Sequence, residues 1–378
     1  MTALAPAAAP SAPRTPWWRL DWGLVIAALG LSLVGATLVY STTHRLGHGY
    51  LAHHLFNLVV GMVMAFGVMR LRVRTIQTLA PIVYALALLG LLAVLGPLGS
   101  TINGSRSWIE LPGLSLQPAE FAKVALCVAL PMVLAERGER GARPPARDVL
   151  LAGVLVAVPV ALVVLQPDLG SATVLVMIGL GVVTVSGARW PWITAAFVAM
   201  AAVVWAALFT PLLSAYQRAR LTAFLHPDAD PGGIGYQMHQ VRLAIGGGGW
   251  TGQGLLHGRA TQAGVIPFQQ SDFVFSAAAE ELGFLGAAAL IALLGFVVVR
   301  GLLIAWHTQD SFGRLVAVGV SSWFLFQILQ NIGMNLAVLP VTGLPLPFVS
   351  YGGSSMFACW IGIGLLLKVH SDDAARRP

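Results

Sequence analysis

Asp272 is the residue whose setting most needs a chemical explanation. It closes a polar, glycine-rich stretch, 246–271, and the residues that follow it, 273–279, are almost wholly apolar. A carboxylate at a hydrocarbon boundary survives only if it is solvated, paired or put to use, because stripping its water is expensive. The uses open to it are neutralising a cation and taking a proton as general base.

Other charged residues sit in similar places. Glu120 and Lys123 are three apart, so on a helix they share one face and touch. They are either a neutralising pair or the wall of a polar cavity. Asp168, in Gln166-Pro167-Asp168, is either a ligand group or the N-cap of a helix opening at Leu169, a role worth about 1 kcal/mol. Arg218 and Arg220 carry guanidinium forks suited to phosphate. Glu280 and Glu281 lie about 12 Å beyond Asp272 along a helix. Neither falls beneath Asp272 on one helical stripe, so their partner is open between helix packing and a polar groove. His53 and His54 are adjacent, and His226, His239 and His257 are scattered, so no recognisable metal-ligand set is assembled from them. Neither a Walker loop nor a dinucleotide fingerprint is found. Acids and arginines beside a membrane cavity suit a substrate with phosphate, sugars and a lipid tail. Glycosyl transfer from a lipid pyrophosphate would need a base for the incoming hydroxyl and cations for the departing anion.

The elements that must position these groups are membrane helices. The 378-residue chain is 57% hydrophobic and 10% charged, with a mean hydropathy of +0.79. Crossing the hydrocarbon takes about 20 apolar residues. Such runs occur near 22–41, 52–70, 77–98, 118–136, 148–166, 169–187, 191–212, 273–300, 314–339 and 350–369. The expected fold is therefore all-α and polytopic, with ten transmembrane helices and both termini on one side. Arg70, Arg72, Arg74, Arg137, Arg140, Arg143, Arg147, Arg189, Arg300, Arg314 and Lys368 then fall on the same side as the termini, which the positive-inside rule makes cytoplasmic. The net charge of +7 is mostly this topological signature. Basic residues massed on one soluble face with interleaved aromatics are missing, so nucleic acid is not an expected partner.

Residues 1–20, rich in Ala and Pro, read as a disordered cytoplasmic tail, followed by an uncleaved first helix. Residues 21–370 read as one membrane domain and 371–378 as a second cytoplasmic tail. One long outer loop, 213–271, between the seventh and eighth helices has room for a solvent-exposed site. Within it, 241–245 fits a short amphipathic turn at the interface. The glycines at 246–249 permit a sharp re-entry or a close backbone approach to ligand, unless they are a linker. Two further outer segments, 100–109 and 340–347, flank the fourth and last spans, and irregular backbone of the latter kind at membrane depth implies a protein-lined cavity. Cys127 and Cys359 lie in different spans and read as packing residues. No internal repeat is evident.

Several segments together resemble the SEDS family (shape, elongation, division and sporulation). They are Asn103-Gly104-Ser105-Arg106-Ser107-Trp108-Ile109, Gln117-Pro118-Ala119-Glu120-Phe121-Ala122-Lys123, Gln166-Pro167-Asp168-Leu169-Gly170 and Tyr216-Gln217-Arg218-Ala219-Arg220. Gly235-Tyr236-Gln237, Ser271-Asp272-Phe273-Val274-Phe275, Glu280-Glu281-Leu282-Gly283 and Pro345-Leu346-Pro347-Phe348-Val349-Ser350-Tyr351-Gly352-Gly353-Ser354 complete the set. They stand in the family's order over nearly the whole chain, and Leu256-His257-Gly258 with Thr261-Gln262 is closer to its elongation branch than to its division branch. The resemblance implies a peptidoglycan glycosyltransferase of the bacterial cytoplasmic membrane. Such an enzyme polymerises lipid II at the outer face during elongation, beside a class B penicillin-binding protein that cross-links the strands.

It also implies Asp272 as the essential acid and general base for the acceptor hydroxyl, and Arg106, Glu120, Lys123, Asp168, Arg218 and Arg220 as substrate-cavity residues. A divalent cation, Mg or Mn, belongs to the same expectation, although the sequence offers no ligand set for it. The chain departs from the family before the acid. Where the family reads Pro, Glu, any residue, His, Thr, Asp, here stand Pro267, Phe268, Gln269, Gln270, Ser271 and Asp272. Two rivals use the same residues: a flippase that moves lipid II without making bonds, and a scaffold for the penicillin-binding protein.

Overall fold

A computed structural model describes residues 20–45, 49–102, 105–111, 114–135, 143–209, 224 and 233–376. Long apolar runs become helices because only intrasegment hydrogen bonds satisfy the backbone in hydrocarbon. In chain order these are α1 (Trp22–Thr43), α2 (Gly49–Arg70), α3 (Val73–Leu95), α4 (Pro118–Ala135), α5 (Ala146–Leu165), α6 (Leu169–Val185) and α7 (Trp190–Phe209). Within the long loop lie α8 (Ile234–Gly247) and α9 (Arg259–Ala263), and after it come α10 (Val274–His307), α11 (Ser311–Asn335) and α12 (Gly353–Arg376). Among the described residues, eight helices are long and apolar enough to cross a membrane (α1 to α5 and α10 to α12), and α6 and α7 contribute shorter apolar stretches.

Helix ends are fixed by the expected chemistry. Asp21 caps α1 by accepting from Leu24 N (3.1 Å), and Asp310 caps α11 by accepting from Gly313 N (2.8 Å). At the end of the bundle opposite Asp272, Arg300 Nη2 meets Asp21 Oδ2 at 2.5 Å, joining the start of α1 to α10. Helices α4, α11 and α12 are mostly buried and form the centre, whereas α2, α3 and α5 turn most of their surface outward.

Three features depart from expectation. The outer segment after α3 is a small antiparallel sheet, β1 (Ser100–Ile102), β2 (Ser105–Leu111) and β3 (Leu114–Leu116), in the order β1-β2-β3, so the fold is not purely helical. The last helix runs on through 371–376, where a separate tail was expected, with Lys368 Nζ bonded to Asp372 Oδ1 (2.8 Å) one turn on. Helix α8 is longer than the turn anticipated at 241–245 and buries Met238, Val241 and Ala244 against Phe273.

Candidate active site

Asp272 stands on a tight turn between Pro267 and the first residue of α10, and it is half-buried. The backbone of the turn is held firmly. Three successive carbonyls are captured by three donors from elsewhere: Gln270 O by Tyr351 N (2.8 Å), Ser271 O by Ser350 Oγ, and Asp272 O by Asn331 Nδ2 (2.9 Å). Asn335 Nδ2 reaches the same Asp272 carbonyl at 3.3 Å, while Asn335 Oδ1 accepts from Ser276 N (3.2 Å). Asn331 also donates to Leu344 O (2.7 Å), so one carboxamide pins the acid's turn to the proline-broken segment before α12. Phe268 sits at φ +56, a left-handed conformation costing about 1–3 kcal/mol for a bulky residue and kept only where surroundings over-determine it.

Glu280 finds its partners in the long loop, and Glu281 on α1 and in that loop. Glu280 accepts from Ala260 N (2.7 Å), Thr261 N (2.9 Å) and Thr261 Oγ1 (2.7 Å), so a buried carboxylate satisfies the first N–H groups of α9. Glu281 Oε1 accepts from Ser41 Oγ on α1 (2.5 Å) and from Gln262 Nε2 (3.4 Å). The glycine cluster serves the same docking. A Cβ on Gly248 would collide with the Ala279 carbonyl, and Gly252, at φ +82, faces the backbone of Glu281 and Gly283. The close approach found here is to α10, where a ligand had been the alternative.

Glu120 and Lys123 are 1% and 0% exposed and pair at 2.6 Å. Lys123 Nζ donates also to Gln327 Oε1 (2.9 Å) and lies 5.2 Å from the centre of the Trp323 ring. This is the geometry of the neutralising alternative, although Glu120 Oε2 is buried with no hydrogen-bond partner among the described residues. Asp168 caps α6 by accepting from Ser171 N (2.9 Å) and Ser171 Oγ (2.8 Å), and it also holds Gln117 Nε2 (3.0 Å) at the start of α4. Arg106, exposed on β2, donates to Gly96 O (2.7 Å) and Gly99 O (3.2 Å), closing the turn after α3. Arg218 and Arg220 lie outside the described residues.

Sequence reading passed over Asn331, Asn335 and Gln327, and it gave Thr261 and Gln269 no structural role. The amides of α11 carried a usable signal, since Gln327, Asn331 and Asn335 recur four apart in an apolar helix, where each polar group must find a partner. Among the described residues no group of three or more His, Cys, Asp or Glu could hold a metal ion.

These features define a multi-pass helical membrane protein with a partly open acid, Asp272, on a braced turn at one end of the bundle. The chain belongs to the FtsW/RodA/SpoVE family of cell cycle proteins, whose model matches residues 19–375. Peptidoglycan glycosyltransferase MrdB of Escherichia coli is 35% identical over 361 residues, which is 95% of this chain and 96% of that protein. A chain from a solved peptidoglycan synthase complex, described as coordinating polymerisation and crosslinking, is similar at a TM-score of 0.80 and 36% identity, covering 94% of this chain and 99% of that one. The rod shape determining protein RodA of Thermus thermophilus is similar at a TM-score of 0.71 and 31% identity, covering 94% of this chain and 98% of its own.

Proposed function

We propose that this chain is a glycosyltransferase of the bacterial cytoplasmic membrane that polymerises lipid II into glycan strands during cell elongation. Its partner is a class B penicillin-binding protein that cross-links the product. What carries the reading is Asp272, a half-buried carboxylate on a turn immobilised by Tyr351, Ser350 and Asn331, in a chain similar to named peptidoglycan glycosyltransferases. A rigid backbone with a partly open side chain suits a general base, which must hold hydrogen-bond reach to one hydroxyl.

In the proposed step, Asp272 takes the proton from the acceptor sugar's 4-hydroxyl. That oxygen attacks the anomeric carbon from the face opposite the lipid pyrophosphate. The new glycosidic bond forms as the bond to the pyrophosphate oxygen breaks, inverting the carbon and releasing the lipid pyrophosphate. Arg218 and Arg220 are the proposed counter-charges for that anion. Asp168 and Arg106 shape the outer rim, and Glu120 with Lys123 holds α4 against α11.

Eight long apolar helices and two shorter ones support ten spans within 21–370, with both termini cytoplasmic and the loop 213–271 outside. The test is purified protein with lipid II in detergent, where no membrane separates two compartments. Wild-type protein is expected to lengthen lipid II, and Asp272→Ala to make no strand while unfolding at the wild-type temperature. Polymerisation retained by Asp272→Ala removes the mechanism. Absence of strands from wild-type protein with its partner present leaves lipid transport or scaffolding in its place.

A further inference from the structure

The turn that carries Asp272 is braced from outside by Tyr351, Ser350 and Asn331, and it is also braced from within. Gln269 Nε2, buried behind the turn, donates to two hydroxyls, Thr261 Oγ1 (3.0 Å) and Ser276 Oγ (3.2 Å). Ser276 Oγ donates in turn to Phe273 O (2.7 Å), on the residue next to the acid. Thr261 Oγ1 donates to Glu280 Oε2 (2.7 Å), the carboxylate that also holds the backbone of Ala260 and Thr261. One hydroxyl thus joins a fixed charge on α10 to the side chain that fills the bend. Inside this low-dielectric setting each such bond is stronger than in water, and each unmade one costs more. The left-handed Phe268, one residue before Gln269, gives the turn a reason to rearrange if the brace is cut.

We propose that Thr261 is a positioning residue for Asp272, acting through Gln269 and anchored by Glu280; this rests on the reading of Asp272 as general base. Its task is to keep the bend of 268–272 at one geometry, so that the acid meets the acceptor hydroxyl at bonding distance. Thr261 lies eleven positions before the acid in sequence and touches no reacting atom. The side chain is nearly isosteric with valine, so Thr261→Val removes the relay hydroxyl and leaves the two backbone N–H groups on Glu280. Thr261→Ser keeps the hydroxyl.

The experiment measures lipid II polymerisation by the full chain in detergent with its penicillin-binding partner, comparing wild type, Thr261→Val, Thr261→Ser, Gln269→Met, the Thr261→Val/Gln269→Met double variant and Asp272→Asn. Displacing a reacting group by about an ångström costs up to roughly 100-fold in rate. Thr261→Val is therefore expected to lose on the order of 10-fold to 100-fold in kcat with KM unchanged, and Thr261→Ser to recover most of the loss. Gln269→Met cuts the same bond from its other end. Its loss is expected to be at least that of Thr261→Val, because the bond to Ser276 Oγ goes as well, and the double variant to be no slower than Gln269→Met alone, as for residues acting as one unit. If Thr261→Val yields little folded protein, Gln269→Met and Thr261→Ser carry the test. Wild-type kcat in Gln269→Met or in folded Thr261→Val, additive losses in the double variant, or no recovery in Thr261→Ser overturns the assignment of Thr261 while an inactive Asp272→Asn leaves the base in place. An active Asp272→Asn overturns the base itself, and this role with it.

Discussion

The Glu120–Lys123 pair and the Asp272 turn both set charge among apolar helices, and they differ in how that charge is used. In the first, the ammonium meets a carboxylate, an amide and an aromatic face, all within the packed centre formed by α4 and α11. Lys123 is fully engaged there, while Glu120 keeps one buried oxygen, Oε2, without a hydrogen-bond partner among the described residues. In the second, the hydrogen bonds described for the acid fall on backbone atoms, and the residue stays half-buried at the end of the bundle. The first is an ion pair inside the packed centre, and the second sits on a turn whose main chain is tied to α11 and to the segment before α12. Both arrangements satisfy the rule that an intramembrane charge needs a partner, so charge and position alone do not tell them apart.

The comparison is broken most severely by leaving one half of the closed pair. Lys123→Met strands Glu120 in the packed centre and is expected to destabilise the protein by about 3–5 kcal/mol, read as a fall in thermal unfolding temperature in detergent. Next comes the brace. Asn331→Leu deprives Leu344 O of its donor and leaves Asp272 O with only the longer bond from Asn335, at about 1–3 kcal/mol for a buried carbonyl left without a donor. Thermal unfolding of that variant and its polymerisation rate should both decline. Gly248→Ala drives a methyl into the Ala279 carbonyl and is expected to cost about 1–3 kcal/mol by overpacking. Gly246, two residues earlier in the same helix region, has open space at its Cβ position. Gly246→Ala should therefore leave unfolding unchanged or raise stability by roughly 0.5–1 kcal/mol. Equal effects of the two alanines would remove the docking role given to the glycine cluster.

The long helices were legible because twenty apolar residues in a row have few other fates, and each expected span coincides with a helix from α1 to α7 or from α10 to α12. The sheet at 100–116 was not. Its strands are short, and two of them have three residues each, too few for an alternating pattern to register. Asp272 was legible from its place at an apolar boundary, and the pairing of Glu120 with Lys123 from their spacing. The partners of Glu280 and Glu281 were not, because Ala260, Thr261 and Ser41 reach them through tertiary folding that no local period records. The same holds for the capture of Asp272 O by Asn331, across 59 residues.

The contrast between the two charges is tested most directly by removing each without leaving a stranded partner. Glu120→Leu combined with Lys123→Met replaces the closed pair by apolar side chains, a change that is often neutral for stability, while Asp272→Asn alters only the acid. Single-turnover polymerisation of lipid II by the folded proteins should proceed near the wild-type rate in the double variant and be absent in Asp272→Asn. Strands made by Asp272→Asn, or none made by a folded double variant, would contradict the account.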